Sequence, residues 1–366
     1  MKLTAVAAPG VLTGSVTGQA VFDAALAARG IEGDLVLTSS PAEFAAALRA
    51  AAADGEFLLV AGDDTPADHL LVGAGVPGAC VVRVDLDARE PDTSRCVRRH
   101  VRWRGMQGLA FGVDDWFFHA SDPGTRHTYG ADRDQHADLR LPAGEGPFPV
   151  AVLVHGGYWR SRWDADVMHP LAVDLTARGF ATWNVEYRRP DRHGWDATTA
   201  DVAAALDALR DLDAPLDLDR VVTLGHSAGG QLVTRLAADR ATGSGIRPAL
   251  TVSLAGCLDL TSIHARGLSE HAVAAALGGT PEELPEVYAA SSPIDRLPLG
   301  LPVAVVCGVG DDPDLLDASR RFATAAGAAG DDVTVVEAPG HHFSVIDPTS
   351  DVWSRVARVV VSRVHG

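Results

Sequence analysis

Three short stretches of this chain carry the residue types that acyl-transfer chemistry needs. Gly225-His226-Ser227-Ala228-Gly229 fits G-x-S-x-G and lies between an apolar strand, Arg220 to Leu224, and a helical run containing Gln231, Leu232, Val233 and Leu236. Small residues at Gly225, Gly229 and Gly230 let the chain turn sharply, so Ser227 is expected on a strained elbow with its Oγ exposed at the carboxyl end of the strand. His155-Gly156-Gly157-Tyr158-Trp159 directly follows the apolar run Phe148 to Val154. A Gly-Gly pair there can turn the N–H groups of Gly156 and Gly157 toward a developing oxyanion, with the amide of Ala228 as the further donor. Tyr158 and Trp159 stand where they either wall a substrate pocket or pack into the core.

A serine alone is a poor nucleophile, and a base with an orienting carboxylate must accompany it. After the strand Pro302 to Cys307 comes Gly308-Val309-Gly310-Asp311-Asp312-Pro313-Asp314, and after Asp332 to Glu337 comes Ala338-Pro339-Gly340-His341-His342-Phe343-Ser344. The order Ser, acid, His is that of a nucleophile-elbow hydrolase. Asp311, first after the turn glycines, is the favoured acid and Asp312 the alternative; Asp314 suits the start of the next helix, where a carboxylate complements the helix dipole. His341 and His342 both stand as bases. His226 and His155 read as structural, His155 as a partner of the oxyanion loop. No metal or organic cofactor is implied, because serine, base and donors supply the whole reaction.

The scaffold for these loops is legible in the alternation of short β-prone and helical runs, the pattern of parallel sheets covered by helices. At 366 residues the chain exceeds the ~250 to 300 at which single cores tend to split, so two domains are expected. In the first, strands are expected at Leu3 to Ala7, Asp34 to Thr38, Phe57 to Ala61 and Ala79 to Leu86. Ser40-Pro41-Ala42-Glu43 is a capping-box pattern opening a helix to about Ala53, and Gly30 and Gly55 sit where helices stop. From Val113 to Pro142 periodicity is lost, which marks a junction, so the boundary falls at 1–112 and 113–366. The second domain is expected to hold a larger parallel sheet, with Ala181 to Tyr187 and Ala249 to Ala255 among its strands. The segment Leu258 to Leu297, with helices at Glu270 to Leu277 and Pro281 to Ala290, is expected to roof the pocket.

Taken together, His155-Gly156-Gly157-Tyr158-Trp159, Gly225-His226-Ser227-Ala228-Gly229-Gly230, Asp311-Asp312-Pro313-Asp314 and His342-Phe343-Ser344-Val345-Ile346 resemble the kynurenine formamidase (arylformamidase) branch of the α/β-hydrolases. The approach segment Tyr129-Gly130-Ala131-Asp132 through Gln135, Ala137-Asp138 and Leu141-Pro142 resembles that family's entry strand region. The resemblance covers about 125 to 365 and implies an α/β-hydrolase fold, Ser227 as nucleophile, Asp311 as acid and His342 as base. It further implies hydrolysis of an ester or aryl formamide through an acyl-enzyme. Where the family reads Asp-Ser-Pro, this chain has Asp311-Asp312-Pro313. A fainter resemblance links the first domain, through Val84-Asp85-Leu86-Asp87-Ala88-Arg89-Glu90 and Gly105-Met106-Gln107-Gly108-Leu109-Ala110-Phe111-Gly112, to type II 3-dehydroquinate dehydratase, a flavodoxin-like fold. That family's catalytic pattern is replaced by Ala8-Pro9-Gly10-Val11-Leu12-Thr13-Gly14, Arg83 and Asp85, leaving Arg89 as the one matching side chain. The resemblance therefore implies a structural or oligomerising relic, with a reassigned ligand site as the alternative. A dehydratase (lyase) activity in the first domain and a non-catalytic scaffold are the rival readings.

Composition narrows the partners. A net charge of −17 opposes nucleic-acid phosphates and anionic membrane surfaces, leaving a small-molecule substrate and a homo-oligomer as the expected company. The run Arg89, Arg95, Arg98, Arg99, Arg102 and Arg104 is an anion site, a docking surface for an acidic partner, or a solvated or interdomain face. Cys80, Cys96, Cys257 and Cys307 show no metal or disulfide spacing. The opening MKLTAVAAPG lacks signal-peptide character and no apolar run reaches membrane-spanning length, so a cytoplasmic protein is expected.

Overall fold

The computed structural model describes every residue except Thr13 and Gly366, so Thr13 of the replaced loop Ala8 to Gly14 lies outside the described residues. The chain divides into two compact units, Met1–Pro123 and Gly124–Gly366. The expected boundary at 112/113 falls inside a helix, Gly108–Ser121, whose buried Leu109, Val113 and Trp116 belong to the core of the first unit. The lost periodicity near Val113 arises because Gly108–Ser121 buries Asp115 among its aromatic residues, so its apolar stripe is broken.

The first unit is a five-stranded sheet of β1 (Lys2–Ala7), β2 (Glu32–Leu37), β3 (Phe57–Val60), β4 (Val81–Asp85) and β5 (Val97–Arg102), paired in parallel in the order β2-β1-β3-β4-β5. This is the flavodoxin-like arrangement. Two of its helix ends fall where the sequence says. Ser40 caps Pro41–Asp54 by accepting the Glu43 N–H at 3.3 Å, while the Glu43 carboxylate reaches Ser39 rather than Ser40, a capping box slipped by one residue. Gly30 ends Val16–Arg29 in the left-handed region at φ 63°.

β5 is where the sequence reading fails. Part of the arginine run, Arg98, Arg99 and Arg102, lies on an edge strand, while Arg89 and Arg95 are exposed. Arg98 pairs with Glu56 at 2.7 Å and with buried Asp115 at 2.8 Å, and Arg102 and Arg104 are buried. Alternation in β4 sends Val82 and Val84 to one core and Arg83 and Asp85 to the opposite face. There Arg83, 2% exposed, pairs with Asp85 and Asp92 at 2.5 Å each, and His100 meets Asp85 at 2.8 Å. A cavity of about 920 Å³ beside this network is lined by Arg83, Asp92 and His100.

The second unit is an eight-stranded mixed sheet. Its strands are β6 (Thr125–Thr128), β7 (His136–Arg140), β8 (Phe148–Val154), β9 (Ala181–Val185), β10 (Leu216–His226), β11 (Leu250–Leu254), β12 (Val303–Gly308) and β13 (Val333–Ala338), in the order β13-β12-β11-β10-β8-β9-β7-β6. Six strands, β8 through β13, pair in parallel; β7, inside the segment that resembles the family's entry strand region, and β6 before it are antiparallel. They lie in the stretch that lacked periodicity because β6 and β7 carry Arg126, Asp138 and Arg140, with Arg126 and Asp138 bonded at 3.0 Å across the pair. β11 and β12 are buried along their full length and β8 beyond Phe148, which is why they read as continuous apolar runs. In this topology the carboxyl ends of β8, β10, β12 and β13 carry the four loops singled out by their chemistry.

Candidate active site

β10 ends at His226 and the helix Ala228–Thr242 begins one residue later, so Ser227 alone makes the turn. Its backbone, φ 53° and ψ −117°, is a strained conformation for a residue with a Cβ. The neighbouring glycines are required by space. A Cβ on Gly225 would stand 2.1 Å from the Gly229 carbonyl oxygen, and one on Gly229 would stand 2.1 Å from that of Val154. The elbow is as expected, but the serine is not exposed: it is 2% accessible. Gly156 closes over it, with room for no side chain, since a Cβ there would lie 2.8 Å from the Ser227 Cβ. Cys257, fully buried, is tied to the elbow by its N–H, which donates to the Ser227 carbonyl at 3.2 Å.

The Gly156-Gly157 loop is held by the histidine that precedes it. The Nδ1–H of His155 donates to the Gly156 carbonyl at 2.8 Å, the Tyr187 hydroxyl donates to the His155 carbonyl at 2.9 Å, and the two rings stack at 4.4 Å. Because a trans peptide sets its C=O and N–H in opposite directions, fixing the Gly156 carbonyl also fixes the Gly157 N–H. Burial, then the charge of Arg189, pushes the His155 imidazole down to about 3, although Glu186 Oε1 stands 3.4 Å from Nε2. His155 is a neutral strut. His226 is likewise driven well below the usual histidine range, first by burial and then by His342.

Asp311 and His342 meet. His342 Nδ1 lies 2.9 Å and 3.1 Å from the two Asp311 carboxylate oxygens, and the Asp311 side chain is 4% exposed. Their loops touch through glycine backbone: the Gly310 N–H donates to the Gly340 carbonyl at 2.8 Å. Asp312 turns elsewhere, capping the helix Pro313–Ala328 by accepting the Asp314 N–H at 2.8 Å. His341 faces its own loop, with its Nδ1 accepting the Phe343 N–H at 3.3 Å. The His342 loop is tied to the elbow as well, because His226 Nε2 donates to the His342 carbonyl at 3.0 Å.

Of the two aromatic residues proposed for substrate, Trp159 is a core residue, 1% exposed, with its Nε1–H donating to Gln231 at 3.1 Å. Tyr158 is half-buried, and burial, then Cys257, Asp312 and Asp311, pushes its hydroxyl up. Sequence reasoning overlooked Cys257, Tyr187 and Glu186. The available signal was position: each lies just past the carboxyl end of a strand, Cys257 after β11 and the other two after β9. Asp132, Asp134 and His193 each bring one possible metal-ligand atom within 4.8 Å of the others, but Asp134 is already paired with Arg189 at 3.1 Å.

These features define the second unit as an α/β-hydrolase domain. The BD-FAE family profile matches residues 137–313, just under half of the chain. Esterase EstD of Thermotoga maritima is 30% identical over 117 residues, covering 30% of this chain and 28% of that protein, so the chain spans well under two thirds of its curated relative. A truncated carbohydrate esterase from gut microbiota matches 66% of this chain and 97% of its own with a TM-score of 0.58 at 18% identity. A putative thioesterase from Silicibacter sp. matches 70% of this chain and 91% of its own with a TM-score of 0.55 at 25% identity.

Proposed function

We propose that the second unit hydrolyses carboxylic esters through an acyl-enzyme formed on Ser227. The observation that carries this reading is the Asp311–His342 pair, hydrogen-bonded at 2.9 Å and tied to a strained serine elbow. Asp311 accepts the His342 Nδ1–H, which leaves Nε2 unprotonated and able to take the Ser227 proton as Oγ attacks the carbonyl carbon. Negative charge then gathers on the carbonyl oxygen, and the N–H groups of Gly156, Gly157 and Ala228 are the donors that would receive it; losing one such donor typically costs ~100 to 1000-fold in turnover. His342 returns the proton to the leaving alcohol, and water repeats the sequence on the acyl-serine. Esterase names among the relatives support the ester as substrate. The motif resemblance extends the proposal to aryl formamides, whose carbonyl would be attacked in the same way. A hydrolysis screen of short-chain esters, aromatic esters and N-formylkynurenine tests this. Turnover of at least one ester is expected, and inertness toward all of them would refute the reading.

A further inference from the structure

The segment that follows Cys257 leaves the nucleophile and is tied back on two sides. Asp259 caps the helix Leu260–Ala265 by accepting the Ser262 N–H at 2.9 Å, and it pairs with Arg321 at 2.9 Å. Arg266 pairs with Asp314 at 2.6 Å and with Asp317, both on the helix that begins right after Asp311 and Asp312. The chain then passes through Gly267, Ser269, Glu270 and His271 with φ of 68°, 50°, 57° and 56°. Three of these carry a Cβ, so the left-handed turn is strained and persists only if something holds it.

Arg160 is what reaches it. Its NH2 donates to the Ser269 carbonyl at 2.6 Å and stands 3.5 Å from the Glu270 carboxylate. Its own N–H donates to the Gly157 carbonyl at 3.0 Å, so the same residue belongs to the turn that carries the oxyanion glycines.

We propose that Arg160 is a positioning residue that latches segment 259–271 to the oxyanion loop, making it a wall that contacts the larger part of the substrate. This rests on the ester-hydrolysis reading. The latch is weak by construction: Glu270 is 87% exposed, and exposed ion pairs are screened by salt. Released, the turn relaxes its strain and the wall is lost for a long acyl group but not for an acetyl group.

The test compares the full-length wild type with Arg160→Gln and Arg160→Lys on 4-nitrophenyl acetate and 4-nitrophenyl hexanoate, at low and high NaCl. Arg160→Gln is expected to raise KM for the hexanoate by about fivefold or more with kcat nearly unchanged, and to leave the acetate within about twofold. Salt should raise the wild-type hexanoate KM and leave that of Arg160→Gln unmoved, and Arg160→Lys should recover most of the loss. Amide hydrogen exchange at residues 268–271 should quicken by about tenfold in Arg160→Gln. Unchanged exchange and an unchanged hexanoate KM would overturn the proposal, as would an equal fall of kcat on both esters, which would place the effect in the oxyanion loop. If the wild type hydrolyses neither ester while exchange still quickens, the esterase reading falls and the latch stands.

Discussion

Two adjacent aspartates and two adjacent histidines give each member of the site a built-in control. Asp311 holds the imidazole while Asp312 caps a helix, so their substitutions should separate cleanly. Asp311→Asn should lower kcat by about 10⁴-fold, because an amide favours the wrong imidazole tautomer. Asp312→Ala should keep most activity and cost about 1 kcal/mol of stability through the lost cap. His342→Ala should abolish activity and His341→Ala should spare it; the reverse ranking in steady-state assays would refute the assignment. The buried histidines make a different prediction. His155 takes up a proton near the ordinary value of 6.5 when unfolded but only at about 3 when folded, so the unfolded state binds more protons between those values. Its contribution to stability is complete above 6.5 and is lost as pH falls toward 3, at about 1.4 kcal/mol per pH unit. Urea titrations from pH 7 to 4 should therefore show a shallower pH slope for His155→Asn than for the wild type, whatever the offset between them. Equal slopes would contradict a neutral buried His155.

The elements carry the constraint that no single side chain explains. A strand, a one-residue turn and a helix can follow one another at Ser227 only because Gly225 and Gly229 leave room for backbone to touch backbone. Gly225→Ala should cost about 3 kcal/mol, near 10 °C in melting temperature for a unit of this size, and remove activity with it. A normally stable, active Gly225→Ala protein would show that the elbow is more yielding than its contacts imply. At this scale the sequence was informative where one force dominated. Continuous apolar runs gave β8, β11 and β12, and Ser40 and Gly30 gave helix ends. It misled where partners distant in the chain satisfy charge: β5 reads as a basic surface until Glu56 and Asp115 are brought to Arg98, and β7 is hidden by Asp138 and Arg140. The loops that carry Ser227, Asp311 and His342 were legible because each follows a β-prone strand. Cys257 was not, because a lone cysteine carries no spacing, and the close approach of Gly156 to Ser227 joins residues far apart in sequence.

For the molecule as a whole, the first unit is the open question that the proposed chemistry leaves. Arg83 and Asp85 are bound with Asp92 and His100 in a buried ion network, and although Arg83, Asp92 and His100 line the cavity beside it, their charges are already neutralised by one another. We expect this unit to serve assembly, as related parallel-sheet folds do through symmetric contacts. Light scattering should find the full chain oligomeric and a chain starting at Gly124 smaller yet still hydrolytic; a monomeric full chain, or measurable dehydration of 3-dehydroquinate, would contradict this. Among the described residues no helix is long and apolar enough to cross a membrane. The central claim is that Ser227, oriented by the elbow and activated by His342 and Asp311, becomes covalently acylated. Reaction with a fluorophosphonate followed by intact-mass and peptide analysis tests this most directly. The account predicts one phosphonyl group per chain, carried on the peptide containing Ser227, absent from Ser227→Ala and strongly slowed in His342→Ala. No adduct, or an adduct that persists in Ser227→Ala, would contradict it.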